Sequence, residues 1–350
     1  QPKIRNTSGT SKDFEGLLLW RLAKDVVFLE KQYRQKGILK QICQQMRSGN
    51  PDKALLAALK TRVATKENKL LDWDGPFGDA RTIVQHNDLR EQINNTRMKE
   101  FSVMTNQRII VCPAKDKIKM LNASQTSRRQ LEKSLLLAQE ADTNYLPSLL
   151  LLCVGAPYVI KKNVVGYDQM GIINGASCIL ERIITHKDEP PFDATLSGNS
   201  EPHFLQFLPT LIVRLRGKPR HAQLQDLLPQ EIPLECSVTL PFLWPVKSNK
   251  HNAEARILRR QMPITMEWSR STTQAQGGTF NPVTIHIGTS NCYHDVYVKL
   301  TRAVDLNNLV IIADFPLSLF EKQPSAARKL EIHRLKKLEY DYLKKYWANN

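Results

Sequence analysis

The stretch of this 350-residue chain best equipped for chemistry runs Ser271-Thr272-Thr273-Gln274-Ala275-Gln276-Gly277-Gly278-Thr279, just ahead of the alternating run Val283-Thr284-Ile285-His286-Ile287. A polar loop ending in Gln-Gly-Gly-Thr before a strand can present amides, hydroxyls and a carboxamide to phosphate oxygens, which is positioning chemistry rather than bond making. Taken alone, an ordinary surface turn is the commoner explanation of such a loop. The glycine-rich phosphate loop GxxxxGK[ST] does not occur in the sequence. Gly217-Lys218 is followed by Pro219 and reads as a turn. Asp188-Glu189 runs into Pro190-Pro191 and reads as a solvated loop rather than the acidic pair of a phosphate-hydrolysing enzyme. The six cysteines, at 43, 112, 153, 178, 236 and 292, form no CxxC pair and have no histidine at finger spacing, so no metal site is predicted. His86 and His286 read as satisfied or exposed histidines rather than ligands.

These residues need elements to hold them. Ile38, Leu39, Ile42 and Met46 recur at three and four residues and predict a helix over 38–46, stopped by Gly49-Asn50-Pro51. A second helix is expected over 51–62, and 14–20 has the spacing of a helix face, whereas 26–29 reads as a short strand. Ile83-Val84 predicts a strand, with His86-Asn87-Asp88 as N-cap of a helix over 89–101. A strand over 108–112 and a helix over 130–140 follow. From 149 to 182 the texture is β, with strands at 149–154, 158–160 and 177–180 separated by turns at Gly155, Gly166, Gly171 and Asn174-Gly175. The turn-rich stretch 185–203, with Ser197-Gly198-Asn199, reads as a linker. Strand-like runs at 208–215 and 232–243, broken by prolines, suggest a small barrel. Further on, 283–287, 296–301 and 309–313 are read as strands, the last apolar throughout as in a buried parallel sheet. A charged helix over 325–346 closes the chain, with Leu335, Leu338 and Tyr342 on one side.

Composition narrows the classes of function. Lys and Arg number 50 against 34 Asp and Glu, a formal charge of +16, which favours a polyanionic partner through counterion release. At 41% hydrophobic residues the chain can bury a core and is not a disordered tail. Dispersed thiols suit a reducing, intracellular compartment. No apolar run approaches the roughly 20 residues of a spanning helix, so no membrane segment is expected. With Gln1 first and no signal-peptide pattern, the chain is read as a fragment of a longer protein.

A second signal accompanies the polar loop. Tyr297-Val298-Lys299-Leu300-Thr301-Arg302-Ala303 precedes the apolar strand, and this order resembles the last two motifs of superfamily 1 DNA helicases of the RecD and Pif type, a QG-x-T loop followed by YVALSR. Tyr33-Arg34-Gln35 with Arg47-Ser48-Gly49 resembles the "RQ…IRxG" stretch that opens their second motor domain. Residues 83–94 resemble their strand and "N…IN" helix. Gly155-Ala156-Pro157, Asn163 and Asn174-Gly175 resemble their "VGapVmLlrNl…GlvNG" hairpin. The nearest likeness is to helicases of fungal rolling-circle (Helitron-type) elements, whose "DF…LF" continuation is matched by Asp314-Phe315 and Leu319-Phe320. Each motif is modest, and their order from about 26 to 320 is specific.

The resemblance implies an α/β fold: the second RecA-like motor domain over 26–181 and 261–322, with a remnant of the first at 1–25. An inserted SH3-like β-barrel at 182–260 and a C-terminal charged helix at 323–350 complete it. It implies Arg34 and Arg302 as catalytic arginines reaching the γ-phosphate, with Gln35, Gln276, Gly277 and Thr279 on the nucleotide side. Asn94, Asn174, Thr273 and Gln274 are implied on the nucleic-acid side; independently of the resemblance, Trp268, the tryptophan beside the loop, is the candidate to stack on a base. ATP and Mg²⁺ would be bound mainly by the missing first domain, and the partners would be that domain and single-stranded or forked DNA. The compartment implied is the nucleus, with the mitochondrion as the other choice. The loop departs from the family's T-x-x-K/R-S-Q-G core: its basic residue is lost, and Leu300-Thr301-Arg302 replaces Leu-Ser-Arg. Two readings stay open, a motor half inactive as a fragment and a diverged non-enzymatic nucleic-acid-binding relic. A free-standing RNA-binding barrel would leave the ordered α/β motifs unexplained.

Overall fold

The computed structural model describes residues 11–49, 51–119, 125–163, 173–195, 201–216, 227–238, 241–246, 253–288, 290, 293–320 and 325–348. The expected turns at Gly166, Gly171 and Gly217-Lys218, the Ser197-Gly198-Asn199 stretch, Asn50 and Cys292 lie outside them. The chain divides into two compact units, Gln1–Ala80 with Ala275–Asn350, and Arg81–Gln274.

In the first unit the helix Gly37–Ser48 buries Leu39, Ile42, Cys43 and Met46, the face its three-and-four spacing predicts. It ends at Gly49, whose φ of +92° is left-handed and whose N–H returns to the Gln45 carbonyl. The helix Lys53–Lys60 starts under Asp52, which accepts from the Ala54 N–H. Strands Val283–His286 and Leu309–Ile312 run parallel in register, Val283 opposite Leu309. Parallel neighbours require a crossover, and the helix Tyr293–Leu300 supplies it. This corrects the strand reading of 296–301: Tyr293, Val296 and Leu300, three and four apart, bury one helical face. Lys299 is wholly buried on that helix, with Nζ 2.7 Å from Asp295 Oδ2, 2.7 Å from the His286 carbonyl and 2.9 Å from Ser290 Oγ. No strand forms at 26–29, where Val27 and Leu29 are 57% and 86% exposed, because a β-branched run without a ladder partner has nothing to pair with. The helices Ser11–Leu22 and Ala326–Ala348 form where the spacing placed them.

In the second unit Arg81–Val84 pairs in parallel with Ser269–Ser271, a polar strand with no apolar signal. The helix Asn87–Met104 follows, and His86 occupies its N-cap position without a side-chain capping bond. The β texture becomes a five-stranded antiparallel sheet in the order Ile264–Met266, Pro157–Ile160, Ser177–Ile184, Thr210–Leu215, Glu231–Leu234. A second sheet gathers Lys115–Lys119, Ser237–Val238 and Phe242–Val246 around Ala253–Gln261. Strands inside 182–260 thus pair with strands that precede that interval.

Lys115–Lys119 and Ala253–Gln261 escape pattern reading because they are rich in charge, the one buried charge, Arg259, being neutralised across the ladder by Asp116. Arg259, 1% exposed, forks onto Asp116 at 2.8 and 2.7 Å and donates to the Leu146 carbonyl and Ser148 Oγ. A desolvated guanidinium persists only with this many acceptors. The helix predicted over 130–140 forms earlier, at Gln125–Leu136, with Leu131 and Leu135 packed on Ala255 and Ile257. Cys43, Cys112, Cys153 and Cys178 are buried free thiols. Among the described residues, no helix is long and apolar enough to cross a membrane.

Candidate functional site

The candidate residues fall into two groups, one in each unit. In the first unit they gather at the loop after residue 275. Gly277 has φ +87°, a left-handed conformation that lets the chain turn there. Arg34 Nη2 donates to the Gly277 carbonyl at 3.1 Å in an exposed bond. Arg302, 7% exposed, approaches the same loop, with Nη1 3.0 Å from the Gly278 carbonyl and 3.3 Å from that of Ala275. Its Nε donates to the Val298 carbonyl at 3.0 Å and its Nη2 to Thr301 Oγ1 at 2.9 Å. Gln35, 3% exposed, donates to the Thr301 and Ala303 carbonyls, which fastens the segment carrying Arg34 to the one carrying Arg302. Gln276 and Thr279 are exposed.

The two guanidinium groups influence each other. Burial first, and then the Arg34 charge, pull Arg302 below the usual guanidinium range, with Tyr297 and Cys43 acting in the opposite sense. Arginine stays charged through such a shift. Burial pushes the Cys43 thiol up to about 12 against the opposing influence of Arg302, so it stays protonated.

In the second unit, Asn174, Thr273 and Gln274 line a cavity of about 390 Å³ together with Tyr145, Lys161 and Arg270. The hairpin shapes its rim: Gly175 has φ +91° and its N–H donates to the Ile160 carbonyl at 2.8 Å, while the Asn174 N–H donates to Asn163 Oδ1 at 2.7 Å. Gln274's carboxamide oxygen accepts from Arg90 Nη1 and Lys161 Nζ, each 3.1 Å away, in the orientation that satisfies both donors. Arg90 also meets Glu140 at 3.0 Å and Glu91 at 3.2 Å. Arg270 is ion-paired with Glu267 and donates to Ser177 Oγ at 3.2 Å. Burial lowers the Lys161 ammonium from its ordinary value, Glu140 opposes the shift, and Arg90 and Arg270 add to it.

Two expected nucleic-acid residues are placed elsewhere. Asn94 is 3% exposed and clasps the Ser269 backbone, accepting from its N–H at 2.8 Å and donating to its carbonyl at 3.4 Å. It aligns a strand and has no face toward a ligand. Trp268 is also 3% exposed, its ring centroid 5.7 Å from that of Phe101, so it is core and cannot stack on a base. Sequence reasoning passed over Lys161, Arg90, Arg270 and Tyr145. The Lys161-Lys162 pair at the hairpin was the one local signal. Among the described residues, no group of three or more His, Cys, Asp or Glu side chains could hold a metal ion.

A parallel strand–helix–strand crossover is mixed α/β architecture, and here the arginine that follows it reaches back to a glycine loop. Comparison with solved structures narrows the class. The Pif1 helicase of Candida albicans is 18% identical with a TM-score of 0.57, over 87% of this chain and 59% of that one. Bacteroides Pif1 bound to ssDNA is 17% identical with a TM-score of 0.60, over 95% of this chain and 64% of that one. Bacteroides Pif1 in complex with ADP-AlF3 and ssDNA is 18% identical with a TM-score of 0.58 and the same coverage. The chain has the Pif1-helicase fold and spans about three-fifths of the length of those structures. No protein-family model and no curated protein matches it.

Proposed function

We propose that this chain is the C-terminal motor half of an ATP-dependent DNA helicase that couples hydrolysis to single-strand translocation and duplex unwinding. In this reading the SH3-like insert lies within 182–260, and the phosphate loop and Mg²⁺ carboxylates belong to a first RecA-like domain. The observation that carries the proposal is the meeting of Arg34 and Arg302, 268 positions apart in sequence, on adjacent carbonyls of one loop. Arg34's other donors have no protein partner among the described residues, so a permanently charged fork is available to phosphate oxygens. Nucleotide bound there would supply a γ-phosphoryl group whose developing charge arginines stabilise. That the solved Bacteroides protein was captured with ADP-AlF3 and ssDNA supports the same reading.

The test joins the chain to a first RecA-like domain with an intact phosphate loop and measures DNA-stimulated ATP hydrolysis. The expected result is stimulated turnover in the joined protein, falling at least about a hundredfold in Arg34→Ala and Arg302→Ala. Absence of stimulated turnover overturns motor function.

A second reading, a non-enzymatic strand-binding relic, is favoured by one observation: Arg302 already donates to four acceptors of its own chain. It predicts salt-sensitive strand binding that a nucleotide analogue does not alter in the joined protein, whereas the motor reading predicts a nucleotide-dependent affinity.

A further inference from the structure

The loop's basic residue is missing, and the cavity beside it shows where a cation now stands. Counting back from Gln276-Gly277, the K/R position of T-x-x-K/R-S-Q-G is Gln274. Counting forward from Gly155 along the hairpin pattern, a position that carries leucine in the pattern is Lys161 here. In the folded chain these two residues touch, Lys161 Nζ lying 3.1 Å from the Gln274 carboxamide oxygen.

We infer that Lys161 has taken over the phosphate contact of the loop's lost basic residue, and that the cavity between hairpin and loop admits one backbone phosphate of a single DNA strand. The inference deepens, and rests on, the strand-binding reading above.

Two cations, Lys161 and Arg270, line the cavity, and a third, Arg90, reaches Gln274 in its wall; Arg90 and Arg270 are already balanced. Arg90 is held by Glu140 and Glu91, and Arg270 by Glu267. Lys161 has no carboxylate within ion-pair distance among the described residues; Nζ lies 3.1 Å from the neutral Gln274 carboxamide and 5.2 Å from the Tyr145 ring, and the Glu140 charge acts on it from beyond ion-pair range. An ammonium in that setting has charge to give to an anion. A neutral, oxygen-bearing side chain at 274 is what such a lysine needs, because a second ammonium there would repel it and Arg90 together. Exposed Thr273 and Asn174 at the rim bring a hydroxyl and a carboxamide to the same opening. The cavity can seat a phosphodiester, and the rim polar groups carry no base-specific code, as suits a track that strand sequence does not interrupt.

The experiment uses the full chain and a labelled oligothymidylate about 20 nucleotides long, with affinity followed by anisotropy over a salt series. Lys161→Gln is expected to weaken binding at low salt about five- to tenfold and to flatten the log–log salt slope by about 0.7, one single-strand phosphate. Adding Gln274→Lys to that variant is expected to restore both quantities, since the cation returns to the position it left. If the natural chain binds and K161Q changes neither quantity, the Lys161 contact is overturned while strand binding stands. If the natural chain does not bind the strand, the strand-binding reading falls and this inference with it. If K161Q weakens binding but Q274K restores nothing, the exchange between the two positions is overturned. Lys161→Met, which keeps the aliphatic stem, carries the same comparison should K161Q melt early.

Discussion

Arg34 and Arg302 donate to successive carbonyls, Gly277 and Gly278, yet one does so from the surface and the other from a nearly closed niche. The two contacts therefore differ in what they hold. A solvent-exposed bond adds little to stability, while a desolvated guanidinium with four acceptors of its own organises the backbone around it.

That asymmetry separates the two substitutions. Arg34→Ala is expected to change unfolding free energy by no more than about 0.5 kcal/mol. Arg302→Ala is expected to cost about 2–3 kcal/mol, because carbonyls at 275, 278 and 298 lose a charged donor. Urea unfolding of the two variants side by side checks this, and equal losses would contradict the geometry.

The ion pair across the charged strands gives the largest expected effect. Arg259→Met leaves Asp116 without its fork and is expected to destabilise the fold by about 3–5 kcal/mol. Changing Asp116→Leu together with Arg259→Met is expected to recover a good part of that loss, since two apolar groups leave no charge stranded. Thermal unfolding of single and double variants measures both.

Stability should fall on mild acidification. Burial, and then the Lys299 charge, lower His286 from its ordinary 6.5, and burial followed by Arg328 lowers His294. Below 6.5 the unfolded chain takes up protons that the folded one refuses, so the contribution of both groups is complete above 6.5 and lost as pH drops through their folded values. The urea midpoint at about pH 5.5 is expected below that at about pH 7.5, with a smaller difference in a His286→Gln, His294→Gln variant.

Thiol reactivity should follow burial. Desolvation pushes Cys43 and Cys112 up to about 12 and Cys153 up to about 11, and raises Cys178 further. Cys236 is partly exposed, with Sγ 3.3 Å from Arg260 Nη2. Of these five, Cys236 is expected to be alkylated first at neutral pH, read by site-resolved mass mapping.

Much of the architecture follows from local order alone. The spacing of Leu39, Ile42 and Met46 names a helix face, Gly49 names its end, and the apolar run from Leu309 names a buried parallel strand, because periodicity and glycine freedom are properties of short segments. Order along the chain was also enough to single out Arg34, Arg302 and the loop at Gln276-Gly277. Strands such as Lys115–Lys119 and Ser269–Ser271 were not legible, since the backbone partners that make them strands lie far away in sequence. Distance in space likewise decided the fate of individual side chains. Trp268 and Asn94 read as ligand-facing and fold inward, while Lys161, unremarkable beside Lys162, comes to rest against Gln274. Sequence states which groups a chain owns; only packing determines which of them water, a phosphate or another part of the chain will reach.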